Sequence, residues 1–341
     1  HRDIHPNPPT YDEVRDAALA FAPPIKAADP GAQVLGPAEW GWWGYFCSAR
    51  DIVVSGFCAA NSVDRAAHGG TPFLPWYLGQ MKQYQDTHGT RILDYLDIHY
   101  YPQANGVALD VAGNAATQQL RLRSTRSLWD PTYLDESWVA DVEGGRVQLI
   151  PRMKNWIAGA YPGTKLAITE YNWGGMEHIN GALAQADVLG IFGREGVDLA
   201  TLWSPPTANQ PGAFAFRMYR NYDGGGGSFG DIGVNAASAD QARLAVYAAQ
   251  RSGDNALTVM VINKTGGALT GDLSLAGMTP GLQARAYRYS GANLAAIVAQ
   301  PNLAISGSAI SASFPANSIT LLIIPPGGQP PRRAYLPVAM R

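Results

Sequence analysis

Apolar positions along the first 205 residues follow two alternating rhythms. Thr10-Tyr11-Asp12-Glu13 has the form of a capping box and predicts a helix through about Phe21. AQVLGPAEW (32–40) reads as a strand ending at Gly36-Pro37, and helical spacing returns over 74–89 in LPWYLGQMKQYQDTHG. The strand ILDYLDIHYYP (92–102) follows, then a long polar insertion, a helix near 147–160 and the strand KLAITE. A helix over 182–196 leads to the strand VDLATLWSP (197–205). Alternation of this kind predicts parallel strands flanked by helices.

Beyond residue 206 helical spacing mostly stops, with ADQARLAVYAAQ (239–250) as the exception. Short strand-like runs replace it at 256–264, 271–277, 283–290 and 312–325, separated by turn residues as in an all-β sandwich. Gly224–Gly227 reads as a flexible loop, PPGGQPPRR (325–333) as a linker, and the last residues as a short apolar-basic tail. The predicted domains are an α/β unit over 1–205, a β-sandwich over 206–325, and a linker and tail over 326–341.

Composition narrows the function. A chain of 341 residues with 46% hydrophobic and 15% charged content predicts folded domains, two by length. A net charge of −2 without a long basic run argues against a nucleic-acid partner. No apolar run reaches the roughly 18–20 residues that span a bilayer, so no membrane partner is expected. The opening HRDIHPNPP does not read as a signal peptide, which is expected instead in a region upstream of it, and its HRD is not a kinase loop, since position 8 is Pro where that loop carries Asn. Cys47 and Cys58, eleven apart, read either as a disulfide closing a surface loop or as two buried thiols. No metal-ligand spacing surrounds them. Asp223 and Asp231, flanking the glycine-rich loop, leave a structural calcium as an open question, and no cofactor is expected.

Candidate chemistry gathers at the predicted strand ends: Glu39-Trp40, His99-Tyr100-Tyr101, Glu170-Tyr171 and Trp203-Ser204. In a β/α barrel the active site is built from the C-terminal ends of the strands, which gives a carboxylate there a use. Nine Trp and sixteen Tyr against nine Phe suit a wet binding surface. Glycosidic hydrolysis needs two carboxyl groups, with rings to stack on sugar faces and polar groups to fix hydroxyls. Glu170 is the first carboxylate, and spacing alone makes Glu39 the second. Asp97 reads as a buried partner that orients a neighbour. His99 and Tyr100 alternate, so one of them reaches the cleft unless the strand end is bulged. Trp203 reads as a floor for the reacting sugar; Trp40, Trp42, Trp43 and Trp173 read as ring platforms, with Asn172 beside them.

Several ordered segments resemble glycoside hydrolase family 44: HRDIHPNPPTYDE at the start, LGPAEWGWWGYF, DIHYYP, and ITEYNWGGMEHINGALAQADVLGIFGREGVDLATLW (168–203). The resemblance runs from residue 1 to about 325. It implies a retaining endo-β-1,4-glucanase, often active on xyloglucan, that pairs a clan A barrel with a β-sandwich and is secreted. It also implies a polysaccharide partner and leaves room for a separate carbohydrate-binding module. Glu170 would take the nucleophile position at the end of barrel strand 7. Trp203 would end strand 8, and His99, Tyr100 and Tyr101 would end strand 6. Family members carry the acid/base in an Asn-Glu-Pro motif ending strand 4, and these 341 residues contain no such motif. The four predicted strands then become strands 5 to 8, and the chain reads as a C-terminal part, with an incomplete sandwich, inactive alone. Glu39, ending strand 5, becomes a cleft residue by resemblance, against its reading as proton donor from spacing. A non-catalytic carbohydrate-binding protein, or another clan A glycosidase such as a xylosidase or arabinofuranosidase, are the alternatives.

Overall fold

Thr10 opens the first helix as its sequence dictates: its Oγ1 accepts the Glu13 N–H at 3.2 Å, and α1 runs Tyr11–Ala28. The structure, a computed structural model, describes residues 5–328. Helix α1 outruns its expected end at Phe21 despite Pro23 and Pro24 inside it. Those prolines deprive the carbonyls of Leu19 and Ala20 of helical donors, and Ala20 is exposed, where water can substitute.

The chain divides into two compact units, one of residues up to Ala184 with Ile191–Pro206, the other of Gln185–Gly190 with residues from Thr207 onward. In the first unit, β1 (Leu35–Glu39), β2 (Tyr95–Tyr100), β3 (Lys165–Tyr171) and β4 (Leu199–Leu202) form one sheet in sequence order. Every neighbouring pair is parallel. Helices connect the strands, as parallel pairing requires. After β1 come α2 (Ala49–Ser55), α3 (Val63–Ala67) and α4 (Phe73–His88). After β2 come α5 (Ala115–Ser124) and α6 (Leu149–Ala160), and α7 (Ile179–Glu195) follows β3. Of these, α2, α3 and α5 were not legible in sequence, being short and weakly periodic.

One face of the sheet is dry. Leu96, Ile98 and Tyr100 of β2 and Leu166, Ile168 and Tyr171 of β3 are all buried. Burial of one such Leu or Ile contributes about 1.5–3 kcal/mol, so this face is what fixes the strands' register. Cys47 and Cys58 are disulfide-bonded, with Cα atoms 5.8 Å apart, across the loop that carries α2.

In the second unit, α8 (Pro211–Arg220) precedes eight strands. β5 (Ile232–Val234), β6 (Leu244–Gln250), β7 (Leu257–Asn263), β9 (Gln283–Ser290), β10 (Asn293–Ala304) and β12 (Ser318–Ile324) make an antiparallel sheet ordered β10-β9-β12-β7-β6-β5. β8 (Leu269–Ser274) and β11 (Ala309–Phe314) form a separate antiparallel pair. Their core brings Val259, Val261 and Leu322 of the large sheet against Ile310 and Phe314 of the pair.

Three expectations are corrected here. Residues 244–250 form β6, not a helix: Ala245, Tyr247 and Ala249 are buried while Leu244, Val246 and Ala248 alternate with them, which is period two. Its alanine content imitates helix composition. The run 312–325 is two strands, broken at Pro315 and at Asn317, whose φ is 48°. Helix α8 is hidden in sequence by its opening Pro-Gly, although Pro sits well at the first helical turn. The long β10 is mostly exposed on one sheet edge and carries no burial pattern to read. The Pro/Gly linker and tail lie outside the described residues from 329 onward.

Candidate active site

The site forms where β2 and β3 end. Along β3, Leu166 and Ile168 pair with Leu96 and Ile98 on the buried face, and the next pairing is Glu170 with His99. Thr169 is therefore an extra residue, a β-bulge. Beyond it Glu170 faces away from the helices and Tyr171 returns to them, its ring edge-on to Phe192 at 5.0 Å.

Glu170 keeps 29% of its side chain exposed and His99 keeps 14%. The Tyr101 hydroxyl donates to Glu170 Oε2 at 2.9 Å, and His99 Nδ1 lies 3.0 Å from the same oxygen. Burial and the adjoining carboxylate push the Tyr101 phenol well above its usual range, so it remains a donor at neutral pH. The Tyr45 hydroxyl donates to the His99 carbonyl and steadies that strand end.

Asp97 is buried beneath this group. Its carboxylate accepts the Thr169 N–H at 3.2 Å, and the Thr169 hydroxyl lies 2.8 Å from both of its oxygens. Burial raises the Asp97 carboxyl, while the Thr169 donors and the nearby His99 work against that rise.

Glu39 closes β1, which is bulged at Ala38 with φ 61°. Its Oε1 accepts the Trp40 N–H at 3.1 Å. The carboxyl lies on Gly44, where a Cβ would fall 1.9 Å from Oε1, so only glycine leaves room. Burial pushes the Glu39 carboxyl up to about 7.

The rings differ in exposure. Trp40 and Trp203 are 70% and 60% exposed. Trp42, Tyr100 and Trp173 are core residues, a correction to their reading as substrate contacts. Trp42 packs edge-on to Phe46 at 5.1 Å, Tyr100 meets Trp173 at 5.8 Å, and the Trp173 indole N–H donates to Ser124 Oγ at 3.0 Å. Trp43 is half-buried, edge-on to the Trp138 ring at 5.1 Å. Asn172 is also buried and corrected: it donates to Ala108 O at 3.0 Å and accepts the Gly174 N–H at 3.3 Å. The adjoining glycines have a steric reason. Gly174 (φ 68°) comes so close to Leu109 that a Cβ would fall 2.1 Å from its carbonyl oxygen.

Sequence reasoning missed Arg121, which is wholly buried in the insertion after β2. Its guanidinium donates to the carbonyls of Val107 (2.9 Å), Trp173 (2.7 Å) and Ala112 (2.7 Å) and to Asn180 Oδ1 (2.8 Å). It thus ties the loop after β2 to the loop that follows Glu170. An arginine in a polar stretch carries no sequence signal for such a role. No cluster of metal-ligating side chains occurs among the described residues. Asp223 Oδ1 accepts both the Gly225 and Gly227 N–H groups, each at 2.9 Å, and the two oxygens of Asp231 accept the Ser252 N–H and hydroxyl.

Comparison with known proteins bears on what this geometry is for. The model of glycoside hydrolase family 44 matches residues 1–104. Over 96% of its length the chain superimposes on CelM2, a bifunctional glucanase-xylanase from a metagenome library, with 46% identity and a TM-score of 0.90. The chain belongs to glycoside hydrolase family 44. A family 44 xyloglucanase from Paenibacillus polymyxa, solved with xyloglucan, gives 30% identity and a TM-score of 0.86 over 96% of this chain. Endoglucanase A of Paenibacillus lautus is 38% identical over 269 residues, 77% of this chain. The chain spans 62% and 63% of the two solved enzymes and 37% of Endoglucanase A. These likenesses favour neither a non-catalytic binding protein nor a xylosidase or arabinofuranosidase.

Proposed function

We propose that this family 44 chain supplies the nucleophile side of a secreted, retaining endo-β-1,4-glucanase acting on β-glucans such as cellulose derivatives and xyloglucan. One observation carries the reading: a part-exposed Glu170 carboxylate at a bulged strand end, with one oxygen bound by both Tyr101 and His99. Both contacts fall on Oε2, and we assign the attack to Oε1.

In the first step Oε1 bonds to the anomeric carbon while the glycosidic C–O bond breaks. The departing oxygen takes a proton from an acid supplied by residues other than those of this chain. Water, deprotonated by the same group, then releases the sugar with its configuration retained. Tyr101 and His99 keep the carboxylate aimed through both steps. Exposed Trp40 and Trp203 are suited to stack on glucose rings. Glu39 serves as a cleft residue.

The four parallel strands are, on this reading, strands 5 to 8 of an eight-stranded barrel, and the second unit is a β-sandwich. Support comes from uncovered apolar surface. β1 pairs on one side only, and a groove of about 340 Å³ beside it is lined by Val14, Phe21, Ile25, Leu35, Pro37 and Met81. Apolar surface of that kind calls for a covering layer. In the second unit a groove of about 640 Å³, lined by Val246, Ala248, Val259, Val261, Leu273 and Phe314, calls for one too. The Cys47–Cys58 bond fits an oxidising, extracellular setting. No described helix is long and apolar enough to cross a membrane. Without the other strands the chain is expected to be inactive.

The deciding experiment is Glu170→Gln in the complete enzyme. Turnover of a soluble glucan is expected to fall by several orders of magnitude with oligosaccharide affinity retained, and persisting hydrolysis would remove Glu170 from the mechanism.

A further inference from the structure

We propose that Asp97 and Thr169 are positioning residues that hold the β-bulge turning the Glu170 carboxylate out of the buried face and toward Tyr101 and His99. The inference rests on the reading of Glu170 as nucleophile.

Side chains alternate along a strand. Ile168 pairs with Ile98 on the buried face, so an unbroken ladder would set residue 170 beside Tyr100, which is buried. A carboxylate there would be desolvated without a partner. The observed ladder steps instead from Ile98↔Ile168 to His99↔Glu170 and Tyr100↔Tyr171. The other edge of β3 agrees. Ile168 pairs with Ala200 and Tyr171 with Leu202, three steps on β3 against two on β4. One residue inserted at 169 changes which face position 170 occupies.

The inserted residue is held on three sides. Its N–H and hydroxyl go to Asp97, and its carbonyl accepts the Thr201 hydroxyl. Asp97 precedes His99 by two on β2, so the clamp and the ring that touches Glu170 rise from one face of one strand. Burying a carboxylate is costly, and here Thr169 supplies the compensating donors. An Asn at 97 would turn an N–H₂ toward a residue that already offers two donors.

The test is made in the complete enzyme with an activated 2-deoxy-2-fluoro-β-cellobioside, whose good leaving group makes labelling report the attack of the nucleophile. Thr169→Val keeps the branched shape and removes the hydroxyl, and Asp97→Asn removes the charge. Each is expected to lower the limiting labelling rate on the order of tenfold to a hundredfold, the scale of a misplaced reacting group, with the half-saturating concentration changed by less than about threefold. Thr169→Ser, which keeps the hydroxyl, is expected to restore most of the rate. Labelling of Thr169→Val at the wild-type rate, or Thr169→Ser as slow as Thr169→Val, would overturn the inference while leaving Glu170 as nucleophile. Turnover surviving in Glu170→Gln would overturn the nucleophile itself. Should Asp97→Asn fail to fold, the Thr169 pair decides alone.

Discussion

Tyr101 and Glu170 share a hydrogen bond of 2.9 Å from the phenol to Oε2, the oxygen that His99 Nδ1 also approaches at 3.0 Å. Two contacts on one oxygen orient a carboxylate more tightly than one, because a single bond lets it swing. On the proposed mechanism, removing one should leave sugar binding intact and slow the attack assigned to Glu170. Tyr101→Phe is expected to lower kcat on the order of ten- to a hundredfold with KM little changed, measured on a soluble β-glucan in the complete enzyme. A variant with kcat unchanged would show that His99 alone orients the nucleophile.

The strands that carry this pair were legible because their apolar runs are uninterrupted and the parallel α/β rhythm is strong. The face of Glu170 was not. One inserted residue inverts the alternation, and Thr169 looks like any β-branched strand residue. Trp42 and Trp173 show the opposite failure. Both stand beside strand ends, where rings suggest a sugar platform, yet the 3-10 turn Trp42–Tyr45 and the Ser124 hydroxyl draw them into the core. Sequence position names the loop a ring belongs to. Its rotamer depends on neighbours far along the chain.

Glu39 gives a pH dependence with a definite sign. Burial raises its carboxyl from 4.5 to about 7. Between those values the folded chain holds a proton that the unfolded chain has lost, so stability falls as pH rises through that window and levels above it. The effect is on the order of 1–3 kcal/mol. Glu39→Gln is expected to flatten this part of a melting-temperature profile taken from pH 4 to pH 8. Parallel profiles for the two proteins would mean that the carboxyl titrates normally.

Arg121 makes its contacts with carbonyls and one amide, and burial lowers its pKa below the free guanidinium value. Arg121→Met has similar reach but supplies no donors, and it would leave the Val107 and Trp173 carbonyls and Asn180 Oδ1 buried without this donor. Each orphaned group costs about 1–3 kcal/mol, so a loss on the order of 3–5 kcal/mol is expected in denaturant unfolding. A loss below about 1 kcal/mol would show that water replaces the guanidinium.

Trp203 and Trp173 are expected to separate binding from folding. Trp203 follows β4, bonded only through its backbone N–H to Tyr171 O at 3.0 Å among the described contacts, and its ring stands 60% exposed. Little packing depends on that ring, so Trp203→Ala should leave the melting temperature within a few degrees of wild type. What the ring offers instead is a flat apolar face just past β4, the strand paired with β3, and losing a stacking partner is expected to weaken oligosaccharide binding by about 1–2 kcal/mol, or roughly five- to thirtyfold in Kd. Trp173 is fully buried against Tyr100 and bonded to Ser124, so Trp173→Ala should cost about 3–5 kcal/mol of stability through the cavity it leaves. Calorimetric titration with cellotetraose beside thermal melts of both variants checks the pair. If Trp203→Ala binds the tetrasaccharide as tightly as wild type, the exposed ring is no platform, and the sugar's floor must be sought on Trp40 or on the exposed Trp138 and its half-buried neighbour Trp43.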